Sequence, residues 1–201
     1  MFYKTYRKLL NLGDRYKDRQ LTASDITGMI RRQFSTRDIA FITCRTNAVD
    51  PDSVIVTGLY DAENDEDDLP GIEIALNFHS EQRCYFTNLI NWPQLALDVA
   101  ECVGHELVHR EQAKSRLAFE PYISTHPDIL IQSDQEYYGA ETEIEAYGFS
   151  IAAEAAATGR PYQDSAVFIC YQNTFNNDPA VILRLERQIA KYLKHLGPRN
   201  E

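Results

Sequence analysis

Residues 102–111 read C-V-G-H-E-L-V-H-R-E, and within them His105, Glu106 and His109 form the pattern H-E-x-x-H. Four positions apart on a helix, the two histidines lie on one face, one turn from each other. Two imidazoles so placed can hold Zn²⁺, and the glutamate beside the first can take a proton from water. Chance produces the pattern in roughly 1 % of chains of this length and composition. A buried His-Glu-His group without a metal would strand polar atoms at a cost of about 1–3 kcal/mol each. One zinc ion per chain is therefore the expected cofactor.

Catalytic zinc takes three protein ligands and keeps one position open. Position 112 is Gln and position 115 is Ser, so the third histidine of a metzincin is missing. The downstream carboxylates are Asp134, Glu136, Glu141, Glu143 and Glu145. Glu143 opens E-I-E-A-Y-G-F and is followed by the small-residue run S-I-A-A-E-A-A-A. Glu143, Ala146 and Tyr147 then share an inward stripe, which favours Glu143 as third ligand. Glu141, Glu145 and Asp134 stay open as alternatives. For an oxyanion donor the chain offers Tyr137, Tyr138, Tyr122 and His126, and no pattern separates them. Cys102, one turn before His105, reads as packing or as an extra ligand. His79 and His195 have no companion ligands and read as structural or solvated.

The elements that must position these residues follow from periodicity. Tyr3, Tyr6, Leu9 and Leu10 make the stripe of a first helix ending near Gly13. A second helix starts at the Thr22/Ser24 caps and buries Ile26, Met29 and Ile30. Residues 38–44, 53–60 and 71–78 are β-branched or alternating and read as strands. Asn91-Trp92-Pro93 starts a helix running to about 114. Further helices are expected over 134–157, stopped at Gly159, over 163–173, and from Asp178-Pro179 to Gly197-Pro198. The loop from about 115 to 133 is long enough to be a lid or wall. The reading is one α+β domain over 1–201, with a helical part (1–35), strands (36–80) and a helical part carrying the metal site (91–201).

With V-G-H-E-L-V-H and E-I-E-A-Y-G-F both in view, the chain resembles the two metal-binding helices of gluzincin zinc metallopeptidases. The resemblance covers about residues 71–149 and implies a zincin-like domain with a small mixed sheet. It implies His105, His109 and Glu143 as ligands, Glu106 as general base, and strand 71–78 as the edge along which an extended protein substrate docks. Three positions depart from the family pattern. Arg110 and Glu111 are charged, Tyr147 stands where an Asp or Asn commonly supports the metal shell, and Glu143 follows His109 by 34 positions.

The implied activity is zinc-dependent hydrolysis of peptide bonds in a protein or peptide substrate. A zincin-like binding module without turnover, or a hydrolase of a non-peptide amide, is the alternative; retention of Glu106 favours an enzyme. With 201 residues, 44 % of them hydrophobic, the chain can bury roughly 70 % of its unfolded surface without disulfides. Cys44, Cys84, Cys102 and Cys170 lie far apart and read as free buried thiols. No signal-peptide or membrane-length apolar run occurs, so a cytoplasmic location is expected. The net charge of −10 argues against nucleic-acid and anionic-membrane partners. That charge is local, because residues 61–68 hold six acids and residues 134–145 five, with no base in either. The first run reads as a solvated hairpin loop, and the second surrounds the candidate ligand.

Overall fold

Thr22 shows how local chemistry starts an element in this chain. Its hydroxyl accepts from the Asp25 amide at 3.1 Å, and its own amide donates to the Asp25 carboxylate at 2.9 Å. This reciprocal capping box satisfies two amides that a helix start leaves orphaned. The computed structural model describes residues 2–35, 37–66, 69–115 and 134–196. Helix α1 spans Phe2–Arg15, and α2, opened by Thr22, spans Ala23–Arg31. Ile26, Met29 and Ile30 are buried as their spacing predicts; on α1 the buried residues are Phe2, Leu9 and Leu12, with the tyrosines only partly covered.

Three strands form a mixed sheet: β2 (Ile39–Thr46), β3 (Val54–Tyr60) and β4 (Ile72–His79), after the two-residue β1 (Gln20–Leu21). The order is β2-β4-β3, with β4 parallel to β2 and antiparallel to β3. Strand β4 is therefore central, which corrects the expectation that residues 71–78 form the sheet edge. Ile72, Ile74, Leu76 and Phe78 point to one side and are fully buried, each contributing about 1.5–3 kcal/mol of burial. Both neighbours' backbones pair with the strand, and among the described residues β2 and β3 are the outer strands. Thr43 Oγ1 donates to Thr27 Oγ1 at 2.9 Å and ties the inner face of β2 to α2.

The acidic connection between β3 and β4 contains a short helix, α3 (Ala62–Glu66), where a loop was expected. The Asp61 carboxylate accepts from the Glu63 and Asn64 amides at 2.9 and 3.2 Å, and so nucleates the turn. Strand β5 (Tyr85–Phe86) pairs with β1, and helix α4 then runs from Trp92 to Ser115. The indole of Trp92 donates to the Leu9 carbonyl at 2.7 Å and lies against Gly13, which fixes the start of α4 on α1.

Two compact units divide the chain, Met1–Glu106 and Leu107–Glu201, and the boundary falls inside the unbroken α4. The second unit contains α5 (Asp134–Gly139), α6 (Glu141–Thr158), a 3-10 turn at Tyr162–Asp164, α7 (Ala166–Thr174) and α8 (Pro179–Leu196). Its core packs Ile144, Ile151 and Ala152 of α6 with Phe168, Tyr171 and Phe175 and with Val181, Leu185 and Ile189 of α8. The helix expected over 134–157 is broken at Ala140, whose ψ of 140° is extended, so that α6 begins afresh at Glu141. Gly159 ends α6 in the left-handed region, as expected of that stop signal.

All four cysteines are free; Cys44, Cys84 and Cys102 are partly buried, while Cys170 is exposed and departs from the expected burial. Among the described residues no helix is long and apolar enough to cross a membrane. The segment 116–133, expected as a lid or wall, lies outside the described residues together with Tyr122 and His126.

Candidate metal centre

Helix α4 carries His105 and His109 one turn apart, and the break at Ala140 places Glu143 in the first turn of α6. A carboxylate there is favoured by the positive end of the helix dipole. His109 and Glu143 are buried, at 4 % and 6 % exposure, and His105 keeps part of its surface accessible. His105, His109 and Glu143 each offer a ligand atom, all within 4.8 Å of one another. His109 Nε2 and Glu143 Oε1 are 3.4 Å apart. Bonds of about 2.0–2.1 Å at tetrahedral angles put neighbouring ligand atoms about 3.3 Å apart, so this pair has the separation a zinc site needs. Two nitrogens and one carboxylate oxygen are also a donor set that suits zinc. The cluster could hold a metal ion.

The other carboxylates considered from sequence stand elsewhere. Glu141 is exposed. Glu145 is engaged: its Oε1 accepts from Lys191 Nζ at 2.7 Å and Tyr192 Oη at 3.4 Å, and its Oε2 accepts from Gln112 Nε2 at 3.0 Å. The side chain of Asp134 lies outside the described residues.

Gln112 is the residue that sequence reasoning missed. It is 4 % exposed, its Oε1 lies 3.0 Å from His109 Nδ1, and its Nε2 donates to the Thr142 carbonyl at 3.1 Å. The signal was available: Gln112 follows His109 by three and so shares its helix face. Tyr147, which the sequence comparison singled out as a departure from the gluzincin pattern, belongs to an aromatic cluster with Tyr138 and Tyr171 at 5.5 and 5.6 Å. Burial, then neighbouring Tyr137 and Glu143, push its hydroxyl above the ordinary tyrosine range, so it stays a neutral phenol. Of the expected oxyanion donors, Tyr138 joins this cluster, and Tyr137, 41 % exposed, packs edge-on against it. Glu111 is exposed and Arg110 partly buried, so the two charges after the second histidine do not enter the core.

In the first unit, Glu106 is buried at 6 % exposure, and Gly58 of β3 approaches it closely. A β-carbon at position 58 would stand 2.6 Å from both Cys102 Sγ and Glu106 Oε1. The strand that packs on the H-E-x-x-H helix is thus β3, and only glycine lets it come so near. Burial, then the carboxylates of Glu106, Asp98 and Glu101, push the Cys102 thiol up to about 12. At neutral pH it is a protonated packing group. Gly58→Ala should cost about 1–3 kcal/mol by overpacking, read as a lower unfolding midpoint in urea.

No family model matches the chain, and neither a curated protein nor a solved structure matches it significantly. What stands for the metal reading is the cluster itself, two histidines of one helix and a glutamate of another with zinc-compatible chemistry.

Proposed function

We propose that the protein is a zinc-dependent peptidase of zincin-like organisation, acting on an extended protein or peptide segment. The observation that carries this reading is the His105, His109 and Glu143 cluster with Glu106 next in the chain to the first ligand. A purely structural metal site has no use for that carboxylate, whereas hydrolysis needs a base. His105, His109 and Glu143 would hold the ion, which would supply Lewis-acid polarisation of a carbonyl and of water. Glu106 accepts a proton from the attacking water and returns it to the departing amine. Burial keeps this carboxylate away from bulk solvent, which strengthens its interaction with a nearby cation. Among the described residues no strand pairs with the outer side of β3, where an extended chain could add, which makes it the docking strand in place of β4.

The test is reconstitution. Protein stripped with a chelator should melt lower than zinc-loaded protein and cleave no peptide from a mixed peptide library. Adding one equivalent of zinc should restore both the melting temperature and cleavage. Zinc at saturating concentration that changes neither property would overturn the reading. Zinc that stabilises without any cleavage would replace the enzyme by a metal-holding binding module.

A further inference from the structure

The amide of Gln112 can be oriented by its neighbours without reference to any metal. On one side it faces two groups that only accept, the Thr142 carbonyl at 3.1 Å and Glu145 Oε2 at 3.0 Å. The NH₂ end must point to them, because a carboxylate and a carbonyl have nothing to donate. Glu145 is itself held, since Lys191 Nζ and Tyr192 Oη donate to its other oxygen. The carbonyl oxygen of Gln112 is therefore turned to His109, 3.0 Å from Nδ1. An oxygen that can only accept requires Nδ1 to carry the hydrogen. In a neutral imidazole this leaves the lone pair on Nε2, the atom that faces Glu143 Oε1.

We propose that Gln112 is the positioning residue of the metal centre. Held by Thr142 and by the Lys191–Glu145 pair, it selects the His109 tautomer that ligates through Nε2 and fixes the plane of the ring. It does from within α4 what the Asp or Asn missing at position 147 would do from α6. A neutral amide, unlike a carboxylate, orients the ring without adding negative charge to it, so the site keeps a single buried carboxylate among its ligands. This inference rests on the metal reading above, and it deepens it.

Nitrogen-15 NMR of histidine-labelled protein and zinc competition against a chromogenic chelator test it together. In zinc-loaded wild type, His109 should show a protonated Nδ1 and a metal-bound Nε2. Gln112→Ala should weaken zinc binding about 10–100-fold, the usual cost of losing an outer partner. Metal on His109 Nδ1 would overturn the inference, even where Gln112→Ala fails to fold. Equal zinc affinity in wild type and Gln112→Ala would also overturn it while leaving the metal site standing. A wild type that binds no zinc would overturn both.

Discussion

Under the proposed zinc reading, Glu143→Ala should abolish metal binding, and Glu145→Ala should not. The two residues are neighbours but one in sequence, in the same first turns of α6, and both are acids. Their surroundings separate them. Glu143 turns one oxygen to within 3.4 Å of His109 Nε2, whereas both oxygens of Glu145 are taken by Lys191, Tyr192 and Gln112. Removing Glu143 deletes one of three donors, so the loss of zinc affinity should exceed the 10–100-fold that follows loss of an outer partner. Removing Glu145 frees the Gln112 amide and should fall inside that range. Zinc per chain after dialysis against a weak chelator reads the difference directly, with circular dichroism confirming that each variant folds. Retention of a full equivalent of zinc by Glu143→Ala would exclude Glu143 as a ligand.

The residues that form the cluster could be found in the sequence, but the contacts that arrange them could not. The pattern H-E-x-x-H is readable because ligands on one helix are fixed by its 3.6-residue period, independently of the rest of the fold. Strands at 38–44, 53–60 and 71–78 were legible for the same reason, since a two-residue alternation is local. Strand order is not local. Nothing in G-I-E-I-A-L-N-F says that β4 has a partner on each side; that follows only from the parallel pairing with β2 across 25 intervening residues. The break at Ala140 was equally hidden, because E-T-E-I-E-A continues the polar and apolar pattern without a proline. Gln112 fell between the two cases. Its spacing from His109 was visible, but an amide becomes informative only once Thr142 and Glu145 are seen to hold its other end.

The acidic character of the chain also acquires a different meaning. Without the eleven acids of residues 61–68 and 134–145, nineteen acids face twenty bases. In the first cluster Asp61 caps α3, so part of that charge is structural. In the second, Glu143 is buried beside a histidine and Glu145 is paired with Lys191, while Glu141 is exposed. A divalent cation would balance the one buried carboxylate among the ligands, which is the place where compensation matters most.

Glu106→Gln is the substitution that separates metal binding from chemistry. Glutamine has the size and shape of glutamate, so the packing of position 106 against Gly58 and Cys102 is preserved. His105, His109 and Glu143 are untouched, and zinc content should stay at the wild-type level. What is lost is the ability to accept a proton, since an amide oxygen is far less basic than a carboxylate. Positioned general bases contribute about 10²–10⁴-fold, and the hydrolysis rate under the proposed reaction should fall by that factor. KM should change little, because the same residue makes no uniform contribution to binding. A variant that binds substrate and does not turn it over is also the tool for finding the substrate: tagged Glu106→Gln protein should retain from native extract a chain that wild type releases in pieces. A Glu106→Gln enzyme that keeps zinc and cleaves within about threefold of wild type would remove Glu106 from the mechanism and require another base.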